Sequence, residues 1–364
     1  MHSKKKICLI IHSLGIGGME RVMSELANNF SNREGVDVHL ILIGKTREVS
    51  YALSESVTIH RPNFKFSNKR RNLDTLRTLL FIRKTVRRIN PDTVLSFGEM
   101  WNNLVLLALK GLSCNVYVSD RSQPDKYLGR LQNLLRDKLY PNAAGYIAQT
   151  EKAADICFEK KWNQNIEVIG NPVRKVQVDS ETEKENIVLT VGRLIPTKHI
   201  DQLIMMFEEL SDPEWKLVIV GGDAKRMNLL EELQKLIDGL GAEDRIFLEG
   251  EKKDVDSYYN RAKIFAFTSS SEGFPNVIGE ALSAGLPVIS YDCMAGPADM
   301  IVDGENGYLI SLYDKKEFKK KLRHLMEDKQ QRENMGRKSR EVIQKYSIDV
   351  ISEKYYSFIT SGDE

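Results

Sequence analysis

Residues 6–21 read KICLIIHSLGIGGMER, a continuous apolar run that ends in a glycine-rich turn and opens into a helical pattern. The apolar run itself, 6–12, shows no alternation of apolar and polar residues, which indicates a strand buried on both faces of a parallel sheet. Similar runs recur at 37–43, 93–97 and 115–119, and helical stretches separate them. The first half of the chain is therefore predicted to be a doubly wound α/β domain.

The same alternation starts again in the second half of the chain. Its strand candidates are 187–191, 216–220, 245–248, 264–267 and 287–290, and its helix candidates are 199–210, 225–240 and 275–284. A polar, aperiodic segment from Asn171-Pro172 to Glu185 separates the halves, as is typical of a linker. A chain of 364 residues also exceeds the size at which one core keeps growing. We predict two Rossmann-like α/β domains facing a cleft, 1–170 and 171–345, and a C-terminal helical segment, 346–364, that can cross back to the first domain.

The composition is that of an ordinary soluble globular protein. Hydrophobic residues make up 41% of the chain and charged residues 29%, and no apolar run reaches the roughly 18–20 residues of a spanning helix. Three lysines before the first strand resemble the start of a signal peptide, but the apolar run after them is about five residues long, short of the 7–15 expected. The four scattered cysteines (8, 114, 157 and 293) form no C-x-x-C pair, which favours a reducing compartment. These features predict a cytoplasmic protein.

The net charge of +2 hides an asymmetry between the two halves. Residues 1–170 carry 26 Lys and Arg against 16 Asp and Glu, a net +10, and the remainder carries 27 against 35, a net −8. A basic half joined to an acidic half indicates that one domain faces an anionic partner.

The glycine-rich turn after the first strand contains Gly15, Gly17 and Gly18 and leads directly into a helix. Glycines permit close backbone approach, and a helix N-terminus presents N–H groups and a positive dipole end to a phosphate. The turn equally suits a purely structural role. It is not G-x-G-x-x-G, and no acidic residue closes a clean second strand, which counts against a dinucleotide dehydrogenase.

Two cations, Arg193 and Lys198, follow the strand candidate 187–191 and precede a helix. They lie at the carboxyl end of that strand, where open α/β sheets bind ligands. Arg and Lys are natural partners of a diphosphate, Arg through its planar fork and Lys as a point charge. The alternative interpretation is a pair of solvated loop cations.

Residues 269–280 read SSSEGFPNVIGE, a serine-rich turn followed by a helix predicted to start near Pro275. The N–H groups of that first helical turn suit phosphate oxygens. Glu272 precedes the helix and Glu280 lies inside it, eight residues later, so the two carboxylates could grip separate hydroxylated parts of one extended ligand. A capping acid and a surface acid of the helix would give the same pattern.

The E-x7-E spacing of Glu272 and Glu280, the Gly17-Gly18 turn and the pair Arg193 and Lys198 together resemble the retaining GT-B glycosyltransferases of family GT4, in the same order along the chain. The resemblance implies that Glu280 binds the nucleotide ribose and that the two cations neutralise the departing diphosphate. It implies that Glu272 contacts hydroxyls of the donor sugar. Electrostatic stabilisation of the leaving group and positioning of an oxocarbenium-like sugar would then drive transfer with retention.

The resemblance also implies the remaining donor contacts and the division of labour between the domains. Besides the residues already named, the donor would lie against Gly15, Gly17, Gly18, Gly273, Phe274, Pro275 and Asn276. Domain 1–170 would bind the acceptor and domain 171–345 the nucleotide sugar, which is a co-substrate rather than a cofactor. No metal is expected, because Asp254-Val255-Asp256, although it imitates a metal-binding D-x-D, precedes a helical run (257–263) for which Asp254 is a good N-cap.

One segment departs from the family pattern. Many members carry a His after the strand that corresponds to 115–119, directed at the acceptor, whereas this chain reads Ser119-Asp120-Arg121. Asp120 or Arg121 is the candidate replacement, orienting the acceptor or stabilising phosphate, and we include both among the catalytic candidates.

Residues 65–88 contain nine Lys or Arg (65, 69, 70, 71, 77, 83, 84, 87 and 88) and one acid, Asp74. On a helical projection the apolar residues 79, 82, 86 and 89 share one side. The cations placed opposite or beside that stripe are Arg77, Arg83, Lys84, Arg87 and Arg88. Such a helix is typical of contact with an anionic membrane or with lipid phosphates, although ordinary packing of the stripe on the sheet is also expected.

The whole chain is similar to bacterial transferases that extend polyprenyl-pyrophosphate-linked oligosaccharides, including GalNAc transferases. We therefore predict a retaining hexosyltransferase that uses a UDP-sugar and a lipid-linked acceptor in surface polysaccharide or oligosaccharide synthesis, peripheral to the inner face of the membrane. The alternatives are a GDP-mannose-dependent mannosyltransferase and a non-catalytic binder of nucleotide sugars or other anionic ligands. Nucleic acid is not an expected partner, because the basic segment lacks a recognition motif and has few aromatic residues.

Overall fold

The computed structural model describes residues 4–179, 181–224 and 227–361, which form two compact units. Unit 1 extends to Pro172 and resumes at Ile348, and unit 2 comprises Val173–Ser347. The chain therefore leaves unit 1 once, builds unit 2, and returns to unit 1 for its last helix.

Unit 1 is a seven-stranded parallel sheet with the strand order β3-β2-β1-β4-β5-β6-β7. The strands are β1 Lys5–Ile11, β2 Val36–Leu42, β3 Val57–His60, β4 Thr93–Phe97, β5 Asn115–Ser119, β6 Gly145–Ala148 and β7 Ile166–Val168. The helices are α1 Gly18–Ser31, α2 Arg71–Ile89, α3 Glu99–Leu109, α4 Arg130–Leu139 and α5 Glu151–Glu159, with the returning helix α13 Ile348–Thr360. Short 3₁₀ turns lie at Asn68–Arg70 and Tyr140–Asn142.

Unit 2 is a six-stranded parallel sheet with the order β10-β9-β8-β11-β12-β13. The strands are β8 Ile187–Val191, β9 Lys216–Val220, β10 Ile246–Gly250, β11 Ile264–Phe267, β12 Val288–Asp292 and β13 Gly307–Ser311. The helices are α6 Ile200–Glu208, α7 Leu229–Leu240, α8 Asp256–Arg261, α9 Asn276–Ser283, α10 Pro297–Met300, α11 Lys315–Glu327 and α12 Lys329–Val342. Further 3₁₀ turns lie at Pro196–Lys198 and Ile343–Tyr346.

These sheets confirm the prediction of two doubly wound α/β domains. β4 and β5 match the predicted strands residue for residue, and their side chains are almost all buried, as expected for inner strands of a parallel sheet. β3, β6, β7 and β13 were not predicted. β3, β7 and β13 are edge strands, and β6 is a four-residue strand that begins with a glycine.

The predicted helix 225–240 is observed as α7 from Leu229, and its first two residues, Lys225 and Arg226, lie outside the described residues. The prediction that Pro275 occupies the first helical position is wrong. Pro275 is the residue before α9, with φ −81° and ψ 84°, and the helix begins at Asn276.

Helix α13 packs within unit 1. The Tyr355 ring lies 6.1 Å from the Phe97 ring of β4, and Phe358 meets Tyr117 of β5 edge to face at 5.3 Å. A Cβ on Gly145 of β6 would lie 2.8 Å from the ring of Phe358, so glycine is required for this close approach. The last helix of the chain is thus part of the core of the first unit.

Candidate functional site

Lys198 and Glu272, which are 74 residues apart, form an ion pair at the carboxyl edge of the unit 2 sheet. Lys198 ends the 3₁₀ turn after β8, and Glu272 lies in the loop after the neighbouring strand β11. Nζ of Lys198 donates to Oε1 of Glu272 at 2.5 Å and lies 4.6 Å from the centre of the Phe267 ring. The side chains are only 16% and 13% exposed, so each charge is partly desolvated and depends on the other.

Arg193 lies beside this pair on the loop after β8, where its side chain is exposed. A cavity of about 10 Å³, room for about one water molecule, is lined by Gly192, Arg193, Lys198 and Phe267 among others. Gly192 has φ +155°, and its N–H donates to Val220 of β9 at 2.9 Å, which continues the sheet into the loop. The structure thus places both predicted cations at one strand end.

The loop 273–275 leads into α9, whose N-terminal turn lacks a side-chain cap within the described part of the chain. Gly296, with φ +101°, fits closely against Pro275, because a Cβ there would lie 2.1 Å from the proline Cδ. The ring of Phe274 packs edge to face on Tyr346 at 5.6 Å. These contacts fix the position of the first turn of α9, whose N–H groups and dipole suit an anionic ligand.

Glu280, in the middle of α9, is held by two residues that the sequence analysis missed. The hydroxyl of Tyr259 donates to Oε2 of Glu280 at 3.1 Å, and Nη2 of Arg174 lies 3.6 Å from the same oxygen. Burial and the charge of Glu280 raise the pKa of Tyr259 well above its ordinary value, so this phenol keeps its proton and acts as donor. Glu280 is thereby orientated from two sides.

Arg174 also forms an ion pair with Asp256, at 2.5 Å from Nη1 to Oδ1. Burial opposes the charge of Arg174, but Glu280 and Asp256 outweigh that effect and raise the pKa of the guanidinium. Sequence spacing gives no signal for this triad, because Arg174 lies 82 residues from Asp256 and more than 100 from Glu280.

The two acids of the D-x-D sequence have protein partners. Oδ1 of Asp254 accepts the backbone N–H of Ser257 at 3.3 Å, but the prediction of Asp254 as N-cap is wrong, because the helix begins at Asp256 and Val255 is its N-cap. The carboxylate of Asp256 forms an ion pair with Arg174. Among the described residues, no group of three or more His, Cys, Asp or Glu is placed to hold a metal ion.

In unit 1, the glycine turn lies between β1 and α1. The backbone N–H of Gly17 donates to the hydroxyl of Tyr51 at 3.0 Å, and that hydroxyl donates back to the Gly17 carbonyl at 2.9 Å. Gly18 begins α1, and a Cβ added to Gly15 would lie 3.8 Å from the carboxylate of Glu48. Ile16, at the tip of the turn, is 92% exposed. The turn is therefore held at its base by Tyr51 and presents its tip outward.

A histidine at the end of β1 was also missed. His12 stacks on Trp101 with ring centres 5.8 Å apart and an angle of 7°, and its Nε2 lies 3.3 Å from Oε1 of Glu20. The buried Nδ1 of His12 has no hydrogen-bond partner among the described residues. The signal in the sequence was available, since His12 directly follows the apolar strand that defines the fold.

The prediction that Asp120 faces the acceptor is wrong. Its carboxyl is 3% exposed, and Oδ1 accepts from Tyr140 at 2.6 Å and from Asn102 at 3.0 Å, while Arg136 lies 3.8 Å from Oδ2. Burial, and then the nearby charge of Glu99, raise the pKa of Asp120 to about 7 against these partners. Asp120 is part of the interior at the end of β5.

We expect Asp120→Asn to flatten the pH dependence of stability. Because the folded protein binds this proton more tightly than the unfolded chain does, the raised pKa lowers the free energy of unfolding as pH rises from about 4 to about 7, by roughly 2–4 kcal/mol. The neutral variant keeps an acceptor for Tyr140 and should be more stable than the native protein at pH 8. Melting temperatures at pH 5 and pH 8 test this, with the exposed Asp155→Asn as control. If the melting temperatures of the native protein and of Asp120→Asn change by the same amount between pH 5 and pH 8, the prediction is contradicted.

Arg121, the other acceptor-side candidate, is bound within unit 1. Its Nη1 donates to the hydroxyl of Tyr355 at 3.0 Å, its Nη2 donates to Asn171, and its guanidinium lies 4.2 Å above the centre of the Phe97 ring. Arg121 therefore links α13 to Asn171 within unit 1, and its role at the acceptor stays a prediction.

The five predicted membrane cations of α2 divide into two groups. Nη1 of Arg83 donates to the carbonyls of residues 108 and 110 at 2.8 and 2.9 Å, which caps the end of α3, and Arg77 pairs with the buried Asp74 at 3.3 Å. Lys84, Arg87 and Arg88 are exposed. Three leucines that the helical projection did not single out, at positions 73, 76 and 80, are 49–55% exposed. In the described part of the chain, no helix is long and apolar enough to cross a membrane.

Comparison with known proteins places these features in a family. Residues 174–342 match the sequence profile of the family described as Glycosyl transferases group 1, and residues 16–175 match that of Glycosyltransferase Family 4. The two matches meet at the boundary between the units and together span most of the chain. They contain the ion pair at the end of β8, the triad around Glu280, and Gly17 and Gly18 of the glycine turn.

Individual relatives match over nearly the whole chain. An uncharacterized glycosyltransferase of Haemophilus influenzae is 28% identical over 357 residues, covering 96% of this chain and 99% of that protein. The GalNAc-alpha-(1->4)-GalNAc-alpha-(1->3)-diNAcBac-PP-undecaprenol alpha-1,4-N-acetyl-D-galactosaminyltransferase of Campylobacter jejuni is 25% identical over 364 residues, covering 97% and 98%.

A solved structure shows the same fold. The crystal structure of HepE from Anabaena in complex with UDP superposes with a TM-score of 0.82 at 17% identity, covering 98% of this chain and all of that one. Two parallel-sheet units of this kind, with both family profiles matched in order, lead to one assignment. The chain belongs to the group 1 glycosyltransferases of family GT4 and is a glycosyltransferase with the GT-B fold.

Proposed function

We propose that this enzyme is a retaining glycosyltransferase that moves a hexose or an N-acetylhexosamine from a UDP-sugar to a lipid-linked glycan in surface polysaccharide or oligosaccharide synthesis. The observation that carries the donor half is the ion pair of Lys198 and Glu272 at the carboxyl edge of the unit 2 sheet. A desolvated cation, a carboxylate and the N-terminal turn of a helix together suit a sugar diphosphate.

The ion pair suggests how the donor is accommodated. A bound diphosphate brings two or more negative charges near Lys198 and Arg193 and competes with Glu272 for the ammonium group. Glu272 is then free to accept hydrogen bonds from the hydroxyls of the sugar. The ligand-free site in this way keeps its charges compensated until the donor replaces one partner.

Transfer requires no covalent intermediate in this scheme. The bond from the anomeric carbon to the diphosphate breaks, its electron pair leaves with the nucleoside diphosphate, and Arg193 and Lys198 stabilise the charge that develops. The acceptor hydroxyl forms its bond on the same face, and its proton passes to the departing phosphate oxygen. The configuration at the anomeric carbon is thereby retained.

The proposal of uridine as the base rests on similarity to other proteins. HepE was solved in complex with UDP, and the Campylobacter relative is a GalNAc transferase by name. A panel of UDP-glucose, UDP-galactose, UDP-GlcNAc, UDP-GalNAc and GDP-mannose, assayed for hydrolysis and transfer, tests the proposal. We expect turnover with a UDP-sugar. Turnover with GDP-mannose alone would support the mannosyltransferase alternative, and binding without turnover of any donor would support a non-catalytic binder.

Tyr259→Phe should weaken nucleotide binding with little effect on turnover. The variant removes the 3.1 Å bond that orients Glu280, so we expect the Kd for UDP to rise about 5- to 10-fold, about 1–1.4 kcal/mol, and kcat at saturating donor to stay within about twofold. Tyr258→Phe is the matched control, because Tyr258 donates to a different carboxylate, Glu249, at 2.8 Å. If calorimetry shows that the two variants raise the Kd for UDP equally, Glu280 is not part of the nucleotide site.

For the acceptor half, we propose that α2 lies on the anionic inner face of the cell membrane. Its exposed cations, Lys84, Arg87 and Arg88, favour anionic headgroups, and its exposed leucines supply apolar contact. The Campylobacter relative acts, by its name, on an undecaprenol-linked saccharide. An enzyme that uses such an acceptor must reach the membrane surface.

Charge reversal at Lys84, Arg87 and Arg88 should release the enzyme from vesicles that contain anionic lipid. At about 1 kcal/mol for each cation near the surface, we expect the partition coefficient to fall more than about 100-fold in vesicle sedimentation at low salt. The matched control reverses three exposed lysines of α11 in unit 2, at positions 315, 316 and 320. Equal losses for both triple variants would show a general charge effect and contradict the role of α2.

A further inference from the structure

A cavity of about 610 Å³ lies in unit 2, at the amino edge of its sheet. Residues that precede three neighbouring strands line one side of it: Lys184 before β8, Lys263 before β11 and Pro287 before β12. Helix α12 lines the other side. Because the strands are parallel, Lys198 and Glu272 follow the opposite ends of β8 and β11, roughly 15 Å away along the strands. The cavity is therefore separate from the donor edge of the sheet.

The cavity is strongly basic, although it lies in the acidic half of the chain. Its described lining contains two acids, Glu183 and Glu333, against six cations: Lys184, Lys263, Lys329, Arg332, Arg337 and Arg340. Residues 171–364 as a whole carry 27 Lys and Arg against 35 Asp and Glu. Nζ of Lys329 lies 3.8 Å from Glu333, and both side chains are exposed, so this pair is weak. A cluster of one charge in a recess of a domain of the opposite net charge indicates an anionic ligand.

Two of the cations are half-buried and are hydrogen-bonded to neutral groups. Nζ of Lys184 donates to the carbonyl of Ala262 at 2.8 Å, and Nζ of Lys263 donates to Oδ1 of Asn186 at 2.7 Å. A neutral partner orients an ammonium group but does not cancel its charge. Burial, and then the charges of Arg340 and Lys263, lower the pKa of Lys184 to about 8. The cations thus repel one another, and a bound anion would relieve that repulsion.

Helix α12 presents its cations to the cavity from one side and is fixed there. Its lining positions recur at intervals of three or four residues, which places them on one face of the helix: 329, 332, 336, 337 and 340. Gly336 lies within this face, and a Cβ there would lie 2.4 Å from the carbonyl oxygen of Gly285. This close approach holds the helix against the loop before β12.

Arg340 is positioned by the same loop. Gly285 has φ +74°, and a Cβ on it would lie 2.5 Å from the guanidinium carbon of Arg340. Nη2 of Arg340 donates to the carbonyl of Ala284 at 3.2 Å. That carbonyl engages one of the five N–H groups of the guanidinium, and the planar fork as a whole suits phosphate oxygens.

The chemistry of the lining favours phosphate groups over a nucleobase. Among the described residues that line the cavity there is no aromatic ring on which a base could stack, and Leu286 and Pro287 supply the larger apolar contacts. Cations on two opposed walls can neutralise more than one phosphate group at a time. The volume, which is within the range of ordinary small-molecule sites, also exceeds the needs of a single phosphate.

We propose that this cavity binds a soluble anion that carries two or more phosphate groups, with Lys184 and Lys263 on one side of it and Arg337 and Arg340 on the other. The inference goes beyond the proposed function and does not depend on it, because the donor edge lies at the opposite ends of the strands. It predicts a polyphosphate ligand that UDP does not displace.

Calorimetry on the full chain with tripolyphosphate, pyrophosphate and sulfate tests the chemical class of the ligand. We expect the Kd to rise in that order, because fewer negative charges meet the cations. Saturating UDP should leave the Kd for tripolyphosphate within about twofold. Equal Kd values for tripolyphosphate and sulfate would show a general anion effect and overturn the proposal. Complete competition by UDP would place tripolyphosphate at the donor edge and overturn it as well.

Substitution of one cation on each wall tests the assignment of the residues. Lys184→Gln with Arg340→Gln should raise the Kd for tripolyphosphate about 10- to 100-fold and leave the Kd for UDP unchanged. The matched control is Lys315→Gln with Lys316→Gln, which removes two exposed cations of α11 outside the cavity lining and should leave both Kd values unchanged.

A single exposed position keeps the test valid if the double variant is unstable. Arg337 is exposed on α12, and its Nη2 donates to Asn334 of the same helix at 2.6 Å, so Arg337→Gln should fold normally. We expect it to raise the Kd for tripolyphosphate about 3- to 10-fold. An unchanged Kd in Arg337→Gln and in the double variant would overturn the proposal.

Vesicles that contain anionic lipid separate a soluble anion from a phospholipid headgroup. We expect the double variant to bind such vesicles as the native protein does, because its two lost cations lie in a recess. If the double variant loses vesicle binding and keeps its Kd for tripolyphosphate, the cations serve a membrane surface and the proposal is overturned. Inactivity of the native protein on every nucleotide sugar would contradict the proposed function and leave the polyphosphate site standing.

Discussion

Glu272→Gln is expected to lower kcat by about 100- to 1000-fold, the loss that follows when one preorganised charged contact to a reacting group is removed. The variant keeps the size and hydrogen-bonding shape of the side chain but removes the charge that pairs with Lys198 at 2.5 Å. Without that charge, Lys198 loses the partner that positions it, and the sugar loses a strong acceptor for its hydroxyls. Turnover with the donor identified by the panel, at saturating concentration, measures the effect.

The matched control is Glu208→Gln. Glu208 forms an equally short ion pair with Arg245, and its side chain is 26% exposed against 13% for Glu272, but it lies at the end of α6, at the opposite edge of the sheet from Glu272. We expect this variant to change stability slightly and kcat by less than about twofold. Comparable losses of kcat in the two variants would mean that Glu272 matters only as a structural ion pair.

Gly221→Ala should destabilise unit 2 by about 3 kcal/mol or more, because two penalties coincide at one backbone position. Gly221 has φ +154°, a conformation that side chains disfavour, and an added Cβ would lie 1.8 Å from the carbonyl oxygen of Gly192. The loop after β8 would have to move, and Arg193 would move with it. Thermal unfolding should therefore shift by about 6–12 °C, with a loss of donor binding.

Gly239→Ala is the control for this substitution. Gly239 lies inside α7, and an added Cβ would meet no atom within 4 Å among those described. Alanine has the higher helix propensity, so we expect a gain of about 0.5–1 kcal/mol. If Gly221→Ala lowers the free energy of unfolding by no more than Gly239→Ala changes it, the close approach of the loops after β8 and β9 is contradicted.

The fold was predictable where a strand has a mainly apolar sequence without alternation. β4 and β5 are buried at almost every position, and their sequences, TVLSF and NVYVS, locate them to the residue. β7, with the burial pattern of a half-exposed edge strand only three residues long, carries no such signal. The strand at 57–60 is also an edge strand, and its short polar sequence resembles a loop.

The candidate site was predictable only in part, for a physical reason. Spacing located Glu272, Glu280 and Lys198, because strand ends and helix starts in a doubly wound sheet lie at one edge. Spacing could not show that Lys198 and Glu272 pair with each other, or that Tyr259 and Arg174 hold Glu280, since these contacts join distant segments.

Asp120 shows the opposite error, and Arg121 has partners that the sequence did not reveal. Charged residues directly after a strand usually face the ligand edge of the sheet, and that expectation placed both at the acceptor. Tyr140 and Asn102 supply hydrogen bonds that permit Asp120 to be buried. The hydroxyl of Tyr355, on α13, accepts a hydrogen bond from Arg121. Burial of a charge depends on partners that local sequence does not reveal.

The return of α13 to unit 1 has a consequence for biosynthesis. The backbone N–H of Val173 donates to the carbonyl of Tyr346 at 2.8 Å, so unit 2 begins and ends at one point and has the form of an inserted domain. A ribosome releases every strand of unit 1 before it makes unit 2, and Tyr355 and Phe358 of α13 emerge only after unit 2. The surface around Phe97 and Tyr117 of the first sheet is therefore uncovered by α13 until the whole of unit 2 has been synthesised.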